Sequence, residues 1–372
     1  MKDRLIPLLR AANHYQQVLS GLEVRMGSGE LSRDEARDIL RHQLPQFEHL
    51  AKQCADFVET NLSAAVLCAK FAGVAGQLFE TELPRLKIIE WRENSVRAAE
   101  KALASKRLTD EFAADLRNDL MAHLGYLGYA HLMNQNLVRG RECCEQAMEL
   151  GEKIGSQLGM ATARGHLAMI AMTEGKLDEA KELLERAVEE FRELKMDGGV
   201  AATLTTLASL ASQQQDYDAA VGHYTEVINL HQNRPEPVGL ATAFANRCGD
   251  FISLRRYEEA REDLVKAKDL AQRCGVAGLR GLILANEARM LLTDDDVEKR
   301  QSAVGLYEQA RKEFSQTGDR LQERRILAIL VQIYEGSLKQ DLSPEQRRYA
   351  LLRLGEIHGV FSDFDKQREC ML

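Results

Sequence analysis

Apolar positions recur along most of this chain with the period of a helix, and the helices come in pairs. Between Ala161 and Ala187 the first run sets Leu167, Ala168 and Ala171 on one face, and the second sets Ala180, Leu184 and Ala187 at i, i+4 and i+7. Glu174 and Gly175 separate the two runs. Steps of forty residues from Ala168 reach Ala208, Cys248, Ala288 and Ala328, and one step back reaches Gly128. The second helix keeps phase through Gly140, Ala180, Ala220 and Ala260, and again through Ala147, Ala187, Val227 and Ala267. Small residues in register at a fixed interval of this size signal a helical repeat array. One helix pair cannot bury its apolar stripe alone, so pairs stack, and a small side chain at each crossing lets the backbones approach.

The same pattern predicts helix pairs near 110–134 with 137–154, 159–174 with 177–194, 198–214 with 217–232, 238–254 with 257–273, and 277–292 with 297–316. Breakers stand between pairs: Gly155 and Gly159, Asp197-Gly198-Gly199, Pro235 and Pro237, Gly275 and Gly278, then Gly318-Asp319. The fifth pair has a longer internal turn around Asp294-Asp295-Asp296, which moves its second-helix alanines to Ala303 and Ala310. A helix over 320–335 is expected to follow in phase through Leu327-Ala328. A last helix is expected to open at Ser343-Pro344-Glu345, with proline at its first position, and a capping tail runs from Val360.

Before residue 110 the phase is less clear. Leu5, Leu8, Leu9, Ala12, Tyr15 and Leu19 form a helical stripe over 1–26, ended by Gly27-Ser28-Gly29. Ser32 with Glu35 reads as a capping box for a helix over roughly 33–60, in which Pro45 predicts a kink or break near Gln43-Leu44. Small-faced 61–81 and a helix over 85–104 with the only tryptophan, Trp91, complete this part. The expected organisation is an N-terminal helical segment (1–60), an atypical or capping helical pair (61–109), the array (110–336), and a C-terminal capping helix and tail (337–372).

Composition narrows the function classes. Of 372 residues 45% are hydrophobic and 28% charged, with six prolines and 6% aromatics, which fits an almost wholly helical chain with ample core. The net charge of −8 gives no overall attraction to nucleic acid. No stretch approaches the roughly 18 uninterrupted apolar residues of a membrane span, and MKDRLIPLLR lacks a signal-peptide core. Seven cysteines in no CxxC spacing point to a reducing, cytoplasmic setting. Cys144 and Cys248 fall at packing positions, and Cys143-Cys144 is either part of that packing or a redox pair. The histidines form no HExxH and no ligand spacing with cysteine. The Asp294–Asp296 run with Glu298 lacks the glycine and spacing of a calcium loop. No catalytic constellation and no cofactor are predicted.

Leu167-Ala168, Ala171, Ala180, Leu184 and Ala187, repeated as Leu207-Ala208, Ala211, Ala220, Tyr224 and Val227, resemble the tetratricopeptide repeat. The period of forty exceeds the family's usual value of about 34, and the usual tryptophan and inter-repeat proline are absent. The chain is therefore similar to the extended form found in kinesin light chains, mitotic polarity adaptors and bacterial regulators. His14-Tyr15, Phe47-Glu48, Ala64-Ala65 and Trp91-Arg92-Glu93 more weakly resemble the repeat sensor of bacterial signal-transduction NTPases with NB-ARC-type motors. No GxxxxGK[ST] occurs, and Gly27-Ser28-Gly29 is followed by no lysine, so such a motor would lie outside this sequence. Length and organisation also resemble the peptide-controlled regulators of Gram-positive bacteria. These resemblances imply an all-α, right-handed superhelical solenoid with an N-terminal helical cap or subdomain. They imply a protein- or peptide-binding sensor or scaffold in cytoplasmic signalling, with the ligand in the concave groove.

Two residues before each small packing residue lies about 200° around the helix, so Tyr126, His166, Thr206, Asn246, Asn286 and Ile326 are expected to face that groove. Asn246 and Asn286 lead, since an amide offers donor and acceptor to an extended backbone; otherwise they are solvated polar residues. Three residues further on come Tyr129 and Arg289. Arg289 either meets an acidic group of the partner or pairs with a nearby carboxylate. Arg247 is either an ion-paired structural arginine or the mark of a shifted face. Arg164 flanks His166. The expected partner is a protein or peptide, with neither nucleic acid nor membrane; self-association through the end faces stays open. The rival reading gives the N-terminal helices a phosphatase-stimulating or anti-activator action, with Gln43 or Gln46 placing water.

Overall fold

The computed structural model describes residues 2–27, 30–31, 33–71, 83–233, 237–274, 277–293, 297–317, 319–339 and 344–369. Among these the regular structure is all α-helix and includes no strand. The sixteen helices are α1 Lys2–Gly27, α2 Arg33–Ala55, α3 Leu62–Lys70, α4 Arg85–Leu103, α5 Asp110–Met133, α6 Leu137–Ile154, α7 Gln157–Thr173 and α8 Leu177–Glu193. They continue as α9 Asp197–Gln213, α10 Tyr217–Asn233, α11 Pro237–Ser253, α12 Tyr257–Cys274, α13 Ala277–Leu291, α14 Val297–Thr317, α15 Arg320–Leu338 and α16 Pro344–Glu369. From α5 to α14 each bound lies within two or three residues of the sequence expectation. The chain divides into two compact units, 1–203 and 204–372.

The turns inside the pairs repeat as closely as the helices do. Gln135, Gly175, Gln215 and Arg255, forty residues apart, take the left-handed conformation with φ of 63°, 79°, 65° and 59°. In each case the next amide closes a wide turn: Asn136 N–H donates to His131, Lys176 to Ala171, Asp216 to Ala211 and Arg256 to Phe251, at 2.8–2.9 Å. This is the Schellman stop, in which one left-handed residue turns the chain and satisfies carbonyls the helix end leaves open. Two of the following helices are started by side-chain caps: Asn136 accepts from the Arg139 amide and Asp216 from the Ala219 amide.

The registered small positions are buried as expected. Ala168, Ala208, Cys248 and Ala288 have no exposed surface, nor do Ala180, Ala220, Ala260, Ala303 and Ala310. At Gly128 a Cβ would stand 2.3 Å from the Cys144 sulfur and 2.8 Å from the Gly140 carbonyl oxygen, so the α5–α6 crossing admits only glycine there. The forty-residue phase ends at α15. Ala328 is exposed, while Leu327 and Leu330 are fully buried. In α15 the buried slot is held by Leu327 and Leu330, after a hairpin whose longer turn has already moved its second-helix alanines three residues on. Ile326, expected to face a groove, is instead 4% exposed and belongs to an apolar cluster with Leu354 and Ile357 of α16.

In the first unit α1–α5 share one apolar cluster, which includes Leu19, Leu40, Phe47, Cys68, Ala98 and Leu116. Phe47 meets Phe71 and Trp91 at ring separations of 5.1 and 5.2 Å. Pro45 lies inside one helix assignment over Arg33–Ala55, which ends before the expected residue 60. Ser32, the 294–296 run and Ser343 lie outside the described residues, as does all of 72–81, the continuation expected after α3. Past Val360, where a tail was expected, α16 runs on to Glu369.

Candidate functional site

In unit 204–372 the first helices of successive pairs, α9, α11 and α13, bring together a run of polar side chains. Ser209 of α9 shares a 3.0 Å hydrogen bond with the Tyr224 hydroxyl of α10, and Asn246 of α11 is near enough to that hydroxyl to offset part of the rise that burial gives its pKa. One turn beyond Asn246 come Gly249, Asp250 and Ser253. On α13, the Asn286 Nδ2 donates to the Ala245 carbonyl at 2.6 Å, and the Arg289 Nη2 donates to the Ser253 hydroxyl at 3.0 Å. A Cβ on Gly249 would reach within 3.3 Å of Arg289 Nη1 and 3.4 Å of Asn286 Oδ1, so the bare backbone there gives both side chains room.

Two charges in this cluster are incompletely answered. Arg289 is half-buried and, among the described residues, has no carboxylate within 4.0 Å. Four of its five N–H donors have no hydrogen bond there. Asp250 is 6% exposed and its Oδ2 has no hydrogen-bond partner among the described residues. Burial pushes its carboxyl up to about 6, against the pull of Ser212 and Arg289. An ionised buried carboxylate beside an unpaired guanidinium is a pair of groups poised to accept polar contacts from a ligand or from water.

Arg247, by contrast, is spoken for. Its Nε and Nη2 clasp the Asp263 carboxylate at 2.7 and 2.9 Å, and its Nη1 donates to Thr225 at 2.8 Å. The guanidinium also lies against the rings of Phe244 and Phe251. It is the structural arginine of the two sequence readings, tying α11 to α10 and α12.

Unit 1–203 presents an aromatic group instead. Tyr126 and Tyr129 of α5 meet His166 of α7, with ring separations of 5.7 and 5.3 Å, the latter stacked at 30°. Buried Arg92 of α4 lies 4.8 Å from the Tyr126 ring centre. Burial, with Arg92 nearby, lowers His166 to about 4, so the imidazole is neutral at physiological pH. Tyr126 is 43% exposed and forms the open edge of the group. Arg164 is buried and ion-paired with Glu190.

The structure thus gathers Asn246, Asn286 and Arg289 in one unit and Tyr126, Tyr129 and His166 in the other. Thr206 is half-buried one turn before Ser209, the α9 residue bonded to Tyr224. Asp250, Tyr224 and Arg92 were missed as site residues. Asp250 follows Asn246 at i+4 and could have been found by extending that face one turn. Arg92 gave no such signal, because it reaches Tyr126 from a helix outside the regular pattern. In the N-terminal helices, Gln43 is half-buried and exposed Gln46 accepts from Tyr15 at 3.5 Å.

The sequence model of the tetratricopeptide repeat family matches residues 159–233. A comparison with curated proteins finds no match. Aspartyl phosphate phosphatase F from Bacillus subtilis superposes with a TM-score of 0.60 at 11% identity, over 95% of this chain and 93% of that one. The Rap conjugation gene regulator of the plasmid pLS20, solved with the Phr* peptide, gives 0.53 at 14% identity over 93% and 96%. A signal transduction ATPase of the STAND class from Pyrococcus horikoshii, with a tetratricopeptide repeat sensor, gives 0.53 at 16% identity over 99% of this chain and 52% of that one. At such identities the likeness is one of fold. Residues 159–233 carry tetratricopeptide repeats, and the chain shares the all-α, repeat-based fold of these proteins.

Proposed function

We propose that this chain is a binding module that takes a protein or peptide on the polar face of α9, α11 and α13 and serves as the sensor or scaffold of a cytoplasmic signalling system. The observation that carries the reading is Arg289: a half-buried guanidinium with one hydrogen bond, no ion pair among the described residues, and the Asn246 amide on the neighbouring helix. An acidic group of the ligand would meet Arg289, and Asn246 would hold ligand backbone. A hydrogen bond to a charged group contributes about 1.5–3 kcal/mol, so a few such contacts suffice for a reversible regulator. The peptide held by the Rap relative of this fold supports the same class of ligand. The aromatic group of Tyr126, Tyr129 and His166 is a second apolar-edged surface for the same partner class.

Partner capture from the native host, identified by mass spectrometry, supplies the ligand for titration. Asn246→Ala with Arg289→Ala is expected to weaken binding at least tenfold, about 1.4 kcal/mol, with unchanged helicity by circular dichroism. Asn286→Ala is the control for structure, because its bond to Ala245 makes it lower the melting temperature as well. If the Asn246/Arg289 double variant binds the captured partner as wild type does, this face is not the site.

A further inference from the structure

A second surface lies in unit 1–203. A trough of about 690 Å³ runs between α1, α3 and the start of α5. Its floor is apolar: Leu62, Val66 and Leu67 of α3, Leu108 and Phe112 around the start of α5, and Leu9 of α1. Apart from Leu67, these are only half-buried, although most belong to the margin of the unit's core. Asn13, Gln16 and Gln17 form a polar wall along α1. From Leu9 to Ser20 this wall spans eleven residues, or about 16 Å at the helical rise.

The charged groups decide what fits. Lys70 and Arg107 line the trough and, among the described residues, no acidic residue does. Neither cation has a carboxylate within 4.0 Å among the described residues; Lys70 rests 5.3 Å from the centre of the Phe112 ring, and the Arg107 side chain is exposed. Burial raises the pKa of nearby Asp119, with Lys70 pulling the other way, and Asp119 stands beyond pairing distance of Lys70. A groove of about 520 Å³ along α12, α13 and α14 makes the contrast. There Lys268 is closed by Glu287 at 2.7 Å and Arg280 by Glu313 at 3.2 Å, which leaves exposed Lys312 as the one lining cation without an ion pair among the described residues.

We propose that the α1–α3–α5 trough docks an acidic amphipathic helix of a partner protein, about three turns long. A helix satisfies its own backbone, so an apolar floor walled by helices suits it better than an extended segment, and packing needs only a stripe of apolar residues at i, i+3, i+4 and i+7. Its flanking carboxylates meet Lys70 and Arg107, and charge of the opposite sign is turned away.

The test uses the full chain and two fluorescein-labelled 15-residue helical peptides, one with leucines at that spacing flanked by glutamates, the other with lysines in place of the glutamates. Anisotropy is expected to give at least tenfold tighter binding of the acidic peptide, and Lys70→Glu with Arg107→Glu is expected to reverse the preference. A photo-crosslinker at Gln17 should capture the acidic peptide, and the Asn246/Arg289 double variant should bind it as wild type does. The proposal is overturned by equal affinity for the two peptides, by no binding at millimolar peptide, or by a preference that survives the charge reversal. It is overturned equally if light scattering shows a dimer that the Lys70/Arg107 variant dissolves, since the occupant is then a second copy.

Discussion

Asp250 and His123 pull the pH dependence of stability in opposite directions. His123 is 4% exposed and its Nε2 lies 2.7 Å from the Ala69 carbonyl; burial, then Arg92, lowers it to about 4. As pH falls from the ordinary value of 6.5 toward 4, the unfolded chain takes a proton that the folded chain refuses, so stability is lost across that window. Asp250, raised to about 6 from 3.8, works the other way: its folded form keeps a proton the unfolded chain releases, and stability is lost as pH rises from 3.8 through 6. Each group amounts to about 3 kcal/mol at its limit. Asp250→Asn is therefore expected to raise stability by about 1–3 kcal/mol at pH 8 and by nothing at pH 4. His123→Gln should flatten the acid limb between pH 6.5 and 4. Urea unfolding at several pH values checks both, and an Asp250→Asn protein no more stable than wild type at pH 8 would contradict the account. At this scale the sequence reading reached the faces of the helices and not their coverage. Asn286, two residues before Ala288, is 3% exposed, because neighbouring α11 lies against it and the amide spends its N–H on Ala245.

Helices were the most legible part, because small side chains at crossings recur every forty residues; of the left-handed turn positions only Gly175 shows itself as a glycine, and Gln135, Gln215 and Arg255 do not. Two substitutions of opposite sign separate these demands. Gln215 holds a φ of 65° that costs a residue with a Cβ about 1 kcal/mol, so Gln215→Gly is expected to stabilise by up to that amount, as Gly175 already does at the same turn position one repeat earlier. Gly128→Ala should destabilise by about 1–3 kcal/mol, since the new methyl would meet both Cys144 and the Gly140 carbonyl. Adding Cys144→Ala should restore only part of the loss, because the backbone oxygen at 2.8 Å cannot be trimmed away. Chemical denaturation of the four proteins measures this; a Gly128→Ala protein as stable as wild type would show that the crossing is looser than the structure has it. Phase fails at α15, after the longer α13–α14 turn: Ala328 is exposed there while Leu327 and Leu330 are buried. The early helices were harder to bound because they share one cluster among α1–α5 instead of repeating a contact.

Across the whole molecule, contacts link helices close in sequence, so destabilisation should remain local in a way a single-core protein forbids. Arg247 offers a sharp test inside unit 204–372, since its bonds run to Asp263 and Thr225 and hold α11 to α12 and α10. Asp263 is 2% exposed, and removing the guanidinium leaves a buried carboxylate without its partner, a loss of about 3–5 kcal/mol. Arg247→Ala is expected to speed amide hydrogen exchange first in α10, α11 and α12, while amides of α15 and α16 keep their protection. Those two helices draw on the cluster of Leu327, Leu330 and Leu354, with which Arg247 makes no bond. Asp263→Ala should have a smaller effect, and the double variant should recover part of the Arg247→Ala loss, because the stranded charge is then gone. Equal loss of protection from α10 to α16 would mean that the unit melts as one body. The forty-residue register would then describe how its helices pack and not how its stability is distributed.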